Sequence, residues 1–250
     1  MKFIRFKKGD FIGYGLWEED KIKIIEGDIF DHYVVTDYYY NISEVDILTP
    51  CIPSKIICVG LNYRSHAEEM NMPLPEEPII FLKPPSSALA HNGIIIRPEM
   101  SKQVDYEAEL GLVIGKRGKN IKPAEAYDYI LGATCFNDVT ARDLQQKDGQ
   151  WTRAKSFDTF APFGPCIATG VNYDNLDIEL SLNGETKQKS NTSDFIFSVG
   201  ELISFISKIM ELNPGDVIAT GTPSGVGKLN EGDTVQVNIQ NVGILKNSVC

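Results

Sequence analysis

Glu107 and Glu109 stand two residues apart in "QVDYEAELGLVIGK" (Gln103 to Lys116), a spacing that sends both carboxylates to one face of a strand. Asp105 shares that face, while Tyr106, Ala108, Leu110, Leu112 and Ile114 fall on the other. The alternation and the β-branched content predict a strand. Carboxylates in a row repel, so either the face is solvated or something positive sits on it. A third acid, Asp138, follows in "CFNDVTARDLQ". Three hard oxygen donors from two segments suit Mg²⁺ or Mn²⁺, with water and substrate completing an octahedron. The competing readings are a solvated strand face for the glutamates and a helix N-cap for Asp138.

Three further groups could do chemistry. His66 and Glu69 in "RSHAEEM" are three apart and share a face on a helical turn. A carboxylate beside an imidazole orients it and makes a general base; the alternative is an exposed loop histidine. Lys155 lies among aromatics and turn residues in "WTRAKSFDTFAPFGP". Partly desolvated, it would suit a carboxylate or oxyanion; the alternative is a surface lysine. "GTPSGVGKL" imitates a phosphate loop, but Gly221 to Gly227 is one residue too long and Leu229 stands where Ser or Thr is required. Its expected role is a tight loop whose backbone and Thr222 approach a ligand closely.

The elements that must position these groups form an α+β, β-rich pattern. Residues 1–50 read as short strands, "KFIRF", "FIGYGLW", "KIKIIEG" and "YVVTDYYY", and are expected to form a small N-terminal β domain ahead of a domain over 51–250. "KPAEAYDYIL" is predicted as a short helix with Pro123 in its first turn. "SVGELISFISKIMEL" is the clearest helix, with a Ser198–Glu201 capping box and an apolar stripe of Leu202, Phe205, Ile206 and Ile209, stopped at Asn213. Arg64 to Pro78, with Met70, Met72 and three prolines, is predicted to be a lid. The chain of 250 residues is long enough for a sizeable core. Its formal charge of −10 argues against nucleic acid and anionic membrane surfaces, and requires any site for an anion to reverse the local field. Five scattered cysteines without a CxxC pair, and the lack of a secretory pattern or long apolar run, lead us to expect reduced thiols in the cytoplasm.

Seven stretches in order, "KIICVGLNYRSHAEE", "PIIFLKPPSSA", "VDYEAELGLVIGK", "FNDVTARDLQ", "WTRAKSFDTFAPFGP", "NTSDFIFSVGELISFIS" and "LNPGDVIATGTPSGVG", resemble the fumarylacetoacetate hydrolase family over roughly residues 50 to 245. The resemblance implies a mixed β-sandwich roll, commonly homodimeric, with Glu107, Glu109 and Asp138 binding one divalent cation. That cation would be Mg²⁺, with Mn²⁺ or Ca²⁺ as substitutes. It implies that His66 and Glu69 activate water and that Lys155, Gln145 and Thr222 contact a substrate's oxo-acid end. Arg142 of "TARD" is open between a substrate contact and a structural ion pair, and Asp105 is expected behind the ligands or solvated. The implied partner is a small anionic 2-oxo acid, with "EEMNMPLPEEP" and "SSALAHNG" expected to hold its far end. The implied chemistry is a metal-stabilised enolate. It serves C–C hydrolysis of acylpyruvates, isomerisation of 2-hydroxyhepta-2,4-diene-1,7-dioate, oxaloacetate decarboxylation or dehydration of sugar-derived oxo acids. The rival classes are a divalent-ion-binding homologue without chemistry and an acidic interaction module.

Overall fold

Alternating apolar residues in a chain with few long helical repeats fold here into three sheets; the computed structural model describes residues 1–250. The largest sheet has twelve strands. Its main path runs Tyr33–Asn41, Lys21–Gly27, Phe11–Glu18, Lys2–Lys8, Ala161–Ala168, Ile130–Asn137, Ala108–Ile114, Val217–Ala219, Ile56–Val59 and Ile80–Lys83. A five-stranded sheet built around Asp177–Leu182, Thr234–Ile239 and Gly243–Val249 packs on it. The shared core holds Ala108, Leu110, Leu112 and Ile114 from one side and Ile178, Leu180, Val235, Val237 and Leu245 from the other. The predicted alternation is therefore real: the apolar parity of "YEAELGLVI" builds this core, while Val113 belongs to a second cluster on the opposite face. A small third sheet joins Val104–Tyr106 to Thr140–Ala141 and Gly227–Lys228. The fold is α+β and strand-rich, as the sequence pattern requires.

All four N-terminal strands form where expected, and they continue the large sheet rather than stand apart from it. Lys2 pairs with Ala168 and Phe3 with Ile167 across the antiparallel junction. The expected strand through Asp105 to Ile114 is split: it belongs to the small sheet up to Tyr106 and to the large one from Ala108. Glu107 occupies the break, with its N–H given to the Asn137 Oδ1 at 3.0 Å instead of to a ladder.

Four short helices follow in chain order: α1 (Arg64–Glu69), α2 (Arg142–Asp148), α3 (Thr152–Lys155) and α4 (Val199–Ile209). The capping box of α4 is present, Ser198 accepting from the Glu201 N–H and Glu201 from the Ser198 N–H. The helix ends at Ile209, before Asn213, and its buried stripe is Val199, Leu202, Ile203 and Ile206, with Ile209 exposed. The expected helix in "KPAEAYDYIL" is a 3₁₀ segment, Pro123–Tyr129, because the chain must re-enter the sheet at Ile130. No helix is long and apolar enough to cross a membrane.

Candidate metal and oxo-acid site

Glu107, at the break between two sheets, and Glu109, at the start of the next strand, turn their carboxylates toward Asp138, which follows the paired strand Ile130–Asn137. The Asp138 N–H donates to the Glu107 carbonyl at 2.9 Å, so the backbone ties the two acidic segments together. Oxygen atoms of the three carboxylates lie within 4.8 Å of one another. Glu107 is 6 % exposed, and Glu109 and Asp138 are each 1 % exposed. This excludes a solvated face, and Asp138 caps no helix, since α2 begins after Ala141.

Cations fold over two of these acids. Lys155 donates to the Glu107 Oε2 at 3.0 Å and to the Asp138 Oδ2 at 2.6 Å. It is buried, not a surface lysine, because α3 carries it beneath the edge strand, where its ammonium lies 5.0 Å from the Phe81 ring centre. Arg142 joins Asp105 at 2.9 Å and also pairs with Glu107, while its Nη1 donates to the Gln145 Oε1 at 2.7 Å. Asp105 is thus buried behind the acid cluster and paired with Arg142, not solvated. Lys83, which sequence reasoning missed, pairs with Asp138 and donates to the Val139 carbonyl at 3.0 Å. Its signal was a lysine ending the apolar run "PIIFLK", where buried acids elsewhere create a demand for buried positive charge.

Burial opposes ionisation of Glu107, but Lys155 and Arg142 outweigh it and bring its carboxyl pKa down to about 2. Burial also works against the Lys155 ammonium, yet Asp138 and Glu107 raise its pKa above the ordinary lysine value. Glu109 is different. Burial, together with the charges of Asp138 and Glu107, pushes its carboxyl well above the usual range. Its one hydrogen bond comes from the Gly221 N–H at 2.8 Å, and no cationic side chain pairs with it. A buried carboxylate left so exposed to its neighbours' charge, among hard oxygen donors, fits a divalent cation. Four acids, Asp105, Glu107, Glu109 and Asp138, face three cations, Lys83, Arg142 and Lys155. With all four acids ionised, one negative charge is left over. A divalent cation held there would reverse the sign, as a site for an anion in a chain of net charge −10 requires.

The same cavity, about 300 Å³, is lined by His66, Gln145, Arg142, Lys155 and Thr222 as well as the three acids. His66 Nδ1 meets the Glu69 Oε2 at 2.9 Å, which leaves Nε2 for the cavity. Glu69 also accepts from the Gly225 N–H at 3.1 Å, and Ser65 and Arg64 tie the start of α1 to Asp194 and Phe195. Gly221 and Gly225 have φ of +99° and +93°, and a Cβ at Gly225 would lie 2.3 Å from the Lys187 carbonyl oxygen. The loop is therefore a tight turn, and its N–H groups reach Glu109 from Gly221 and Glu69 from Gly225. Buried Gln188 clamps it: Oε1 accepts from the Ala108 N–H at 2.9 Å, and Nε2 donates to the Thr222 Oγ1 and the Pro223 carbonyl, each at 2.9 Å. Nothing in "GETKQKSN" marks that glutamine, whose role exists only once two distant segments meet.

Of the two loops expected at the far end of the cavity, "EEMNMPLPEEP" supplies Met70 and Met72, but "SSALAHNG" supplies nothing. Ala88–Leu89 pairs in parallel with Ala161–Pro162, and the Ala90 carbonyl takes the Asn247 amide at 2.9 Å, which docks that stretch elsewhere. The wall comes instead from Leu61, Ile79, Phe81 and Trp151.

Similarity to known proteins agrees with this architecture. An uncharacterized protein of Archaeoglobus fulgidus is 54% identical over 96% of this chain and 94% of its own length. The oxaloacetate tautomerase fahd2, mitochondrial, of Xenopus laevis is 46% identical over 83% of this chain and 69% of that protein. The crystal structure of 2-hydroxyhepta-2,4-diene-1,7-dioate isomerase from Mycobacterium marinum superposes with a TM-score of 0.93 at 39% identity, covering 100% of this chain and 98% of that one. Residues 1–50 match a family model described as Rv2993c-like, N-terminal. Residues 55–250 match the model for the fumarylacetoacetate (FAA) hydrolase C-terminal domain, and the chain belongs to that family of enzymes.

Proposed function

We propose that the chain is a divalent-metal-dependent enzyme that moves a proton on small 2-oxo acids and their 2-hydroxy-2-enoic tautomers. The observation that carries this reading is one cavity lined by both the buried Glu107–Glu109–Asp138 cluster and an imidazole oriented by a carboxylate. Glu107, Glu109 and Asp138 would hold the cation. When bound, it supplies Lewis-acid polarisation of the oxo-acid oxygens. Mg²⁺ is the ion we assign, by the hard donor set.

The remaining work falls to side chains. Glu69 accepts from the His66 Nδ1–H and fixes the tautomer, so Nε2 is the basic nitrogen facing the substrate. It takes the proton from the carbon next to the oxo group and delivers it to the enolate oxygen, or carries it back the other way, which interconverts keto and enol forms without consuming water. Because Gln188 donates to the Thr222 Oγ1, the Thr222 hydroxyl proton is left to donate to the acid. Because Arg142 donates to the Gln145 Oε1, the Gln145 amide N–H groups are likewise left to the ligand. Lys155 and Arg142 keep Glu107 ionised and add positive potential where negative charge grows.

Proton transfer is favoured over hydrolysis because the names of the Xenopus and M. marinum relatives describe a tautomerase and an isomerase. The same His66–Glu69 pair could deprotonate water against an acylpyruvate, which keeps C–C hydrolysis as the second reading. The test is loss of enol absorbance from an enol 2-oxo acid, with Mg²⁺ and purified protein. Parent protein should accelerate it, and His66→Ala should lose about 10²–10⁴-fold of that acceleration. Equal rates for the two proteins would sink the assignment of His66. Hydrolysis of acylpyruvate without any tautomerisation would select the second reading.

A further inference from the structure

The lining of the cavity falls into two groups of opposite character. Every ionisable side chain lining it, Glu107, Glu109, Asp138, Arg142, Lys155 and His66, belongs to the acid cluster with its cations or to the imidazole pair. The apolar wall is made by Leu61, Met70, Met72, Ile79, Phe81 and Trp151, with Phe81 and Trp151 edge to face at 5.1 Å. Met70, Met72 and Ile79 are exposed, so apolar surface stands open at the cavity mouth.

A second carboxylate against that wall would find no free cation among the lining residues. Arg142 is engaged by Asp105, Glu107 and Gln145, and Lys155 by Glu107 and Asp138. Arg64, the cation on the neighbouring helix, gives its guanidinium to the carbonyls of Asp194 and Phe195. The segment that supplies the two methionines also carries Glu68, Glu69, Glu76 and Glu77. Desolvating a carboxylate there would go uncompensated and would add to like charge. Methionine side chains, by contrast, adapt to irregular apolar tails.

We propose that this chain takes 2-oxo acids bearing an uncharged apolar tail beyond the oxo-acid head, and discriminates against diacids of the same length. The inference rests on the oxo-acid reading above for the head. Leu61, Met70, Met72, Ile79, Phe81 and Trp151 form the tail subsite, and burial of the tail covers the open methionines.

Calorimetric titration of the Mg²⁺-loaded protein with 2-oxoheptanoate, 2-oxoheptanedioate and oxalate tests this without requiring turnover. Oxalate carries the chelating head and no tail. The monoacid should bind at least about tenfold more tightly than the diacid. Met72→Lys should narrow or invert that ratio, and Trp151→Ala should weaken the monoacid while leaving oxalate unchanged. Equal binding of monoacid and diacid, or a ratio unmoved in folded Met72→Lys protein, overturns the tail subsite while the oxo-acid reading stands. Absence of binding by all three, oxalate included, overturns the oxo-acid reading and the tail subsite with it.

Discussion

Glu109 is the residue on which the site turns. It is buried, receives one backbone N–H and has no cationic partner, so its carboxylate has the most to gain from a metal ion. Adding Mg²⁺ at about a hundred times its dissociation constant should stabilise the parent by about 2.7 kcal/mol. Glu109→Gln should abolish that gain in thermal unfolding while leaving the far-ultraviolet spectrum unchanged. An undiminished shift in the variant would remove Glu109 from the ligand set. Lys83 and Lys155 grip opposite oxygens of Asp138, and Lys83 is the one outside the cavity lining. Removing one partner of a buried ion pair typically costs about 3–5 kcal/mol. Lys83→Met should therefore destabilise the metal-free protein by that order in denaturant unfolding, and a change within error would show that Asp138 does not need it.

At the level of elements, the 221–225 loop links the sheet to α1. Gln188 fastens it to the strand through Ala108 and Thr222, and the Gly225 N–H reaches Glu69. Gln188→Ala leaves the buried Ala108 N–H without its partner, a loss of about 1–3 kcal/mol. A purely structural role would stop there. Acting through Thr222, the change should also raise KM with little effect on kcat, and should add little to KM in a Thr222→Val background. Additive effects on KM in the double variant would separate the two residues. The lid expected over Arg64 to Pro78 is anchored at its start by Asp194 and Phe195 and at Glu69 by the loop, whereas Met70 and Met72 stand open. Closure of that apolar half on a ligand would slow hydrogen exchange there after Mg²⁺ and a 2-oxo acid are added together; unchanged exchange would mean a preformed wall.

For the whole molecule, two tyrosines tie stability to alkaline pH. Burial, with Cys51 nearby, raises the Tyr14 pKa from 10.0 to about 12. Burial and a hydrogen bond from its hydroxyl to Asp174 raise Tyr127 from 10.0 to about 12. The folded state holds both protons more tightly than the unfolded chain, so their contribution is complete below pH 10 and is lost as pH rises toward about 12. The melting temperature should fall across that window, and Tyr127→Phe should flatten the fall; an equal slope in the variant would place the loss elsewhere. The homodimer implied by the resemblance is a further proposal, measured as the mass of two chains in sedimentation.

Local pattern alone sufficed for much of this protein. Period-two alternation sorts Leu110 and Leu112 from Glu107 and Glu109, and one capping box starts α4, because side-chain direction follows from backbone geometry a few residues long. The seven family stretches likewise named the acids, His66, Glu69 and Lys155 before any fold was visible. What surrounds them was decided by tertiary contact. Lys83 reaches Asp138 across 55 residues, Lys155 reaches Glu107 across 48, and Gln188 reaches Ala108 across 80. Whether a carboxylate is solvated or paired, and whether a cavity ends in charge or in methionine, depends on which strands become neighbours. Sheet order sets that neighbourhood, and no window of sequence contains it.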